Sequence, residues 1–331
     1  LTILHNFITH PNVGGVLVID LGCEQTNRAA LRRYLDRTDQ LSTVATLDWL
    51  TIQQEGGVHH TITRGLDILR QRLPSVNATV RQPYPLRHLV VGTECGASDA
   101  FSGITANPLI GHAVDQIIAG GGSAILSEVP EMIGAEHLLI QRMRSPQVVA
   151  AFHSMMRWYR EMAARLEVNM GDNLVPENRS GGLLNPCIKS LGAIAKGGTT
   201  VIEGILEYGE RLTQPGLHLM QGPGNDLESV TGLAASGANL ICFSTGKGTV
   251  TGSAIVPVIK VTSTSERFRL MPDDMDFNAG RLIQADQPCS LADCGHELLQ
   301  LILATASGQR TQAEKNGQRQ FQVWTAGKLS L

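Results

Sequence analysis

Aromatic residues are scarce in this chain of 331 residues, with 3 Trp, 4 Tyr and 7 Phe. So few rings exclude a broad stacking platform for bases or sugars. Charge of one sign is also lacking: 27 Lys and Arg stand against 30 Asp and Glu, a formal net charge of -3. So balanced a chain gives no electrostatic reason to bind nucleic acid or an anionic membrane. No apolar run approaches the ~20 residues that span a bilayer, and the opening LTILHNFITH has neither the basic flank nor the cleavage site of a secretory signal. A soluble, cytoplasmic protein is the expectation. The six cysteines, Cys23, Cys95, Cys187, Cys242, Cys289 and Cys294, form no CxxC pair and read as reduced thiols. No apolar strand leads into GxGxxG, and STGKGTVTG (Ser244 to Gly252) lacks the GxxxxGK[ST] spacing, which disfavours nicotinamide and nucleotide-hydrolysing enzymes.

What is present is glycine, 35 residues of it, gathered after apolar runs where a backbone must turn tightly or approach a ligand. Apolar runs at Val16 to Leu21, Leu89 to Val91, Ala124 to Leu126, Leu217 to Met220, Ala238 to Phe243 and Ile255 to Val261 read as strands. A further strand is expected around Thr43 to Leu50, and Pro257 argues that the Ile255 to Val261 run is an edge or a bulge. Helical spacing separates the strands, as in Ile62, Leu66, Leu69 and Leu73, a helix expected to end at Pro74. Ser145 and Pro146 form an N-cap and N1 pair for a long helix through Met162. Val201, Ile205 and Leu206 suggest a helix, and Asn169 to Cys187 a long loop. Strand and helix alternate, so the fold class is α/β, with two Rossmann-like parallel-sheet domains at 1–84 and 85–331. Residues 75–87, with two prolines at 83 and 85 and no periodicity, are the candidate linker. The chain opens on Leu1 in helical spacing and reads as a piece of a longer polypeptide, its first domain incomplete at the N-terminus.

Chemistry concentrates at strand ends. After Val91 come Glu94, Cys95, Ser98 and Asp99, and after Leu126 come Ser127, Glu128, Glu131 and His137. A thiolate, carboxylates and an imidazole can hold a divalent metal or move protons. The same residues also make a tight turn, with Asp99 as a cap and Glu128 and Glu131 at a helix start. Lys189 either neutralises a substrate carboxylate, acts as a desolvated base, or is a surface lysine. Asn173, Asn178 and Arg179 offer hydrogen bonds to hydroxyls and carboxylate. Ser244, Thr245 and Lys247 lie on a glycine-rich turn able to cradle an anion. His59, His60, Cys289 and Cys294 are assigned to structure or surface. Asp273, Asp274 and Asp276 make either a cation site or a solvated turn.

ECGASDAFSGITANP, AILSEVPEMIGAEHLL, GGLLNPCIKSLGAIAKGG, SVTGLAASGANLICFSTGKGTVTGSAIVPVIK and DDMDFNAGRLI, in that order, resemble the altronate and galactarate dehydratase family. The likeness covers most of the chain after Arg87 and touches HPNVGGVLVIDLGCE before it. It implies a hydro-lyase that removes water from a sugar acid such as altronate or galactarate, giving a 2-keto-3-deoxy acid, with Fe(II) or Mn(II) as cofactor. On this resemblance Cys95, Asp99, Glu128, His137 and Lys189 are catalytic. Cys95, Glu128, Glu131 and His137 bind the metal, and Asn173, Asn178, Arg179, Ser244, Thr245 and Lys247 bind the substrate. The related sulfolactate sulfo-lyase large subunit and a non-catalytic acid-binding homologue are the alternatives. A small β domain or small subunit is implied as partner completing the site, and a homo-oligomer is expected. Cys187 and Ile188 stand where relatives usually carry an acidic residue before the lysine of KSLG.

Overall fold

Every strand pair among the described residues is parallel, as the alternation of short apolar runs and helices requires. The structure is a computed structural model and describes residues 1–37, 46–170, 174–286 and 288–325. It divides into two units, Leu1–Pro83 and Tyr84–Leu331.

The first unit runs α1 (Thr2–Ile8), β1 (Val16–Asp20), α2 (Arg28–Arg37), β2 (Leu47–Thr51) and α3 (Val58–Asn77). Its two strands pair in register from Val16 with Leu47 to Asp20 with Thr51. Residues 43–45 of the second expected strand lie outside the described residues. Ile8, Leu31 and Leu35 form a small core against Val16, Val18, Leu47 and Trp49. Gly65 lets α3 approach the alternate face, where a Cβ would stand 3.3 Å from Leu17. Contrary to expectation α3 continues through Pro74 to Asn77. The proline sits in the last turn, where its missing N–H removes a single hydrogen bond and Ala78 N still donates to Pro74 O at 3.1 Å. Ile62, Leu66, Leu69 and Leu73 are exposed in this unit.

The second unit runs β3 (Val90–Gly96), α4 (Ala106–Ala119), β4 (Ser123–Leu126), α5 (Glu136–Ile140), α6 (Pro146–Arg165), α7 (Pro176–Ser180), α8 (Pro186–Ile194), β5 (Ile202–Leu206), β6 (Gly216–Met220), α9 (Asp226–Ala235), β7 (Leu240–Thr245), β8 (Val258–Thr262), α10 (Ser265–Leu270), β9 (Phe277–Asn278), α11 (Leu291–Ala306) and α12 (Gln312–Lys315). Seven strands form one sheet in the order β5-β6-β4-β3-β7-β8-β9. The chain leaves β3 toward β4 on one side and later enters β7 on the other, so strand order reverses at β3. In open parallel sheets that reversal is where the loops part and ligands bind.

The segment read as a helix from Val201, Ile205 and Leu206 is the edge strand β5. Its spacing fits either element, and pairing with β6 decides it. The stretch read as a long loop, Asn169 to Cys187, holds α7 and the start of α8, because Asn185 accepts from Ile188 N at 2.9 Å and Pro186 occupies N1. Ser145 caps α6 in the expected way. Pro257 stands just before β8, which is an inner strand flanked by the two-residue β9. Cys289 and Cys294, expected as free thiols, are disulfide-bonded, their Cα atoms 6.0 Å apart across the start of α11. That separation is within disulfide reach. After α12 the chain lies along the fold, with Gln322 N donating to Thr231 Oγ1 and Trp324 N to Tyr208 Oη. Among the described residues no helix is long and apolar enough to cross a membrane.

Candidate active site

Side chains of β3 alternate between two faces, and this sorts the chemistry. Gly92 and Gly96 face α9, where a Cβ on Gly92 would meet Leu233 and one on Gly96 would press on Asp226 Oδ2 and Phe243. Glu94 shares that face, and its carboxylate accepts a hydrogen bond from Ser229 Oγ, which also contacts Ser127 Oγ at 2.8 Å. Burial raises the Glu94 pKa well above the usual carboxylate range, helped by the charge of Glu128. Cys95 points the other way, toward the end of β4. There Glu128, a non-glycine residue at φ 67°, turns its carboxylate back onto β3. Such a left-handed conformation is held by its surroundings. Here Glu128 Oε2 accepts from Cys95 N at 2.9 Å, and Oε1 lies 3.6 Å from Cys95 Sγ.

One residue sequence reasoning passed over completes this pair. Lys196 forms a salt bridge with Glu128, and their side chains are 0% and 1% exposed. Lys196 stands on a 3-10 turn, Ala195–Gly197, that is fixed from three sides. Arg142 donates to Gly197 O at 3.1 Å and Thr200 O at 2.9 Å. Asp115 accepts from Thr199 N at 2.7 Å, and Gly111 of α4 lies so close that a Cβ there would stand 2.0 Å from Ala195 O. Burial pulls the Lys196 pKa down, yet its neighbours Cys95 and Glu128 outweigh that and hold it above the ordinary lysine value. Lys196 therefore stays an ammonium.

Glu131, on the 3-10 turn Val129–Met132, pairs with Lys189 of α8 at 2.7 Å. Gly134 lets α8 settle against this turn, since a Cβ there would be 2.5 Å from Cys187 Sγ. Burial raises the Glu131 pKa, as does Glu128 beside it. Cys95 Sγ and a carboxylate oxygen from each of Glu128 and Glu131 all lie within 4.8 Å of one another. That is the spacing of ligands around one ion with bonds of about 2.0–2.3 Å. Burial also pushes the Cys95 thiol well up. Beside the cluster is a cleft of about 300 Å³ whose wall includes Cys95, Ser98, Asp99, Asn107 and Lys189.

Other expected site residues are placed differently. His137 is exposed on α5, outside the group of three donors. Asp99 lines the cleft, but its carboxylate accepts from Ser102 N, Ser102 Oγ and Ser263 Oγ at 2.8, 2.9 and 3.0 Å. Asn178 is buried and ties Ser98 O to the loop at 2.8 Å, while Arg179 is exposed and Asn173 lies outside the described residues. Ser244 and Thr245 are fully buried, with Ser244 Oγ on Asn107. Lys247 reaches Ser180 Oγ at 2.9 Å. The N–H groups of Gly246 and Lys247 both donate to Ala97 O, and that of Gly248 to Thr245 Oγ1. Asp276 accepts from Lys260 N and Gln312 N, so it braces the end of the sheet.

Residues 86–329 match the family model for the D-galactarate/altronate dehydratase C-terminal domain. Residues 1–77 match that of the D-galactarate dehydratase/altronate hydrolase second domain. The chain belongs to the D-galactarate/altronate dehydratase family. It is 36% identical to the altronate dehydratase of Escherichia coli (strain K12) over 326 residues, 98% of this chain and 64% of that protein. It is likewise 36% identical to the galactarate dehydratase (L-threo-forming) of the same organism over 312 residues, 93% of this chain and 59% of the other. Similarity extends to the (2R)-sulfolactate sulfo-lyase subunit beta of Chromohalobacter salexigens, 32% identical over 316 residues, 94% of this chain and 78% of that subunit. The chain spans less than two thirds of the length of either dehydratase.

In this member of the dehydratase family Asp226 is a second residue that sequence reasoning missed. It opens α9 behind the Asn225 cap. Burial, then the charges of Glu128 and Glu131, lift its pKa to about 7. Its signal was faint, an acidic residue in a first helical turn being ordinary. Lys196 gave only a lysine before two glycines.

Proposed function

We propose that this chain carries the catalytic centre of a metal-dependent hydro-lyase that removes water from a polyhydroxy acid such as altronate or galactarate, giving a 2-keto-3-deoxy acid. The observation that carries this reading is the meeting of Cys95, Glu128 and Glu131 with two lysines beside one cleft. The donor set fits a divalent ion: one sulfur and two carboxylates, buried and closely spaced, suit Fe(II) or Mn(II). Cys95, Glu128 and Glu131 would hold it, and when bound it supplies Lewis acidity to a departing hydroxyl.

The remaining chemistry belongs to the chain. Elimination begins with loss of the proton beside the carboxylate, which is weakly acidic, so the enediolate that forms needs cations around it. Lys189 is the ammonium on the cleft wall, placed to meet the carboxylate. Lys196 holds Glu128 in its strained position and keeps positive charge behind Cys95. Proton uptake falls to Asp226, whose burial lifts its carboxyl to about 7. Asp99, held by three donors, shapes the cleft floor. A small β domain or companion subunit closes the site, and the reaction is cytoplasmic.

The larger share of the sulfo-lyase subunit that this chain covers supports a second reading, with sulfite as the leaving group. Anaerobic turnover with Fe(II) or Mn(II) separates the two, using the complete protein or the chain with its companion subunit. Formation of a 2-keto acid from altronate or galactarate, abolished by Cys95→Ala, is the expected result. Sulfite release from sulfolactate selects the second reading. A folded, metal-loaded protein that transforms none of these acids would sink both and leave an acid-binding homologue.

A further inference from the structure

We propose that the first unit carries its own binding site, for a small anion that also bears a hydroxyl group, at the carboxyl ends of β1 and β2. The strands end side by side, with Asp20 paired to Thr51. Beyond them Gly22 turns the chain at φ 118°, and Glu24 locks the turn by accepting from Leu21 N and Gly22 N at 2.7 Å each. α2 then begins at Arg28. The result is a cleft of about 390 Å³ whose wall includes Asp20, Asn27, Arg28, Arg32, Thr51 and Gln54. That volume is within the ~300–1,000 Å³ of ordinary small-molecule sites, and its place is where parallel sheets bind ligands.

Asp20 is 7% exposed. Its Oδ2 accepts from Arg28 N at 2.7 Å and so caps α2. Asp20 lines the cleft, and its Oδ1 is buried and has no hydrogen-bond partner among the described residues. Capping accounts for the first oxygen and leaves the second as an acceptor awaiting a donor, which a buried carboxylate oxygen rarely lacks. Two cations face the same space. Arg28 and Arg32, one helical turn apart, lie over the Trp49 ring at 5.7 and 5.4 Å from its centroid. Neither makes an ion pair among the described residues. The indole holds both guanidiniums in place without neutralising them. Two fixed cations beside one acceptor ask for a ligand that brings a negative group for the arginines and an O–H for Asp20. A hydroxylated carboxylate and a hydroxylated phosphate ester both meet that description, whereas a neutral polyol or a bare anion meets half of it.

Trp49 sits under both guanidiniums and so reports on the cleft. The full chain is titrated with glycerol 3-phosphate and with D-gluconate, and with methyl phosphate and propionate as hydroxyl-free controls, while tryptophan emission is followed. Saturable quenching or enhancement by at least one hydroxylated anion, absent in Trp49→Phe, is expected. Arg32→Gln and Arg28→Gln, both on the open side of α2, should each weaken it by about tenfold or more with the far-ultraviolet circular dichroism unchanged. Which of the two ligands binds more tightly distinguishes a carboxylate from a phosphoryl source. No saturable change with either, or titrations that neither arginine variant alters, would overturn the site. Hydroxyl-free anions binding as tightly as their hydroxylated counterparts would overturn the role given to Asp20.

Discussion

The ammonium of Lys196 and the carboxylate of Glu128 meet with neither side chain open to solvent, and that carboxylate also receives the N–H of Cys95. A buried pair of this kind contributes little net stability, but losing one partner strands a charge. Lys196→Met and Glu128→Gln should therefore each cost about 3–5 kcal/mol. The double variant Glu128→Met/Lys196→Met should cost less than either. Urea unfolding of the metal-free proteins checks the order, and an additive double variant would show that the pair is not coupled.

Asp226 links stability to pH. Its folded value of about 7 lies above the usual 3.8 because of burial and the charges of Glu128 and Glu131. A raised carboxyl contributes stability that is complete below the unfolded pKa and is lost as pH rises through the folded one. Between about pH 4 and about pH 8 the metal-free protein should lose on the order of 3–4 kcal/mol that Asp226→Asn retains. Denaturant unfolding at both ends of that range reads the difference. Parallel pH curves for the two proteins would show that Asp226 ionises as freely folded as unfolded.

Cys95 must give up its proton to ligate metal, against a burial that pushes its pKa well up. Loading the protein with Co(II) should release protons and produce a sulfur-to-metal charge-transfer band. Cys95→Ser should abolish the band, while the exposed Cys23 and Cys187 should not contribute to it. A band that survives Cys95→Ser places the ion elsewhere.

Gly111 is the contact through which α4 fixes the Lys196 turn. A Cβ there would meet Ala195 O at 2.0 Å and Gly198 N at 2.9 Å, both backbone atoms that cannot rotate aside. Gly111→Ala should cost about 2–3 kcal/mol or more and should weaken Co(II) binding by displacing Lys196 from Glu128. Thermal denaturation and metal titration together test this. Unchanged metal affinity in a destabilised variant would confine the glycine to packing.

Where sequence reasoning succeeded, a local rule and the tertiary fold agreed. Cys95, Glu128 and Glu131 follow apolar runs that became neighbouring strands β3 and β4, so their convergence was legible once parallel pairing was inferred. Ser145 caps its helix by a side-chain acceptor that sequence displays directly, whereas the Asn185 cap went unread inside the stretch taken for a loop. Lys196 and Asp226 could not be found that way. A lysine in a glycine-rich turn looks solvated, and only the approach of Gly111 and the ion pair with Glu128 bury it. β5 escaped because Val201, Ile205 and Leu206 satisfy helical spacing, and the choice fell to hydrogen bonding with β6. The N–H groups of the glycine-rich turn after β7 are engaged by Ala97 and Thr245, a pairing set by β3 lying next to β7.

The two carboxylates at the centre of the second unit each arrive with their own lysine, so the four groups together carry no formal charge. A dication entering such a centre on a Cys95 thiolate would leave one positive charge unbalanced in a medium that screens it poorly. One carboxylate of an incoming acid is the amount that cancels it. Ion and acid would then bind more tightly together than either does alone, and the free energy of that mutual assistance must appear equally in the affinity of each.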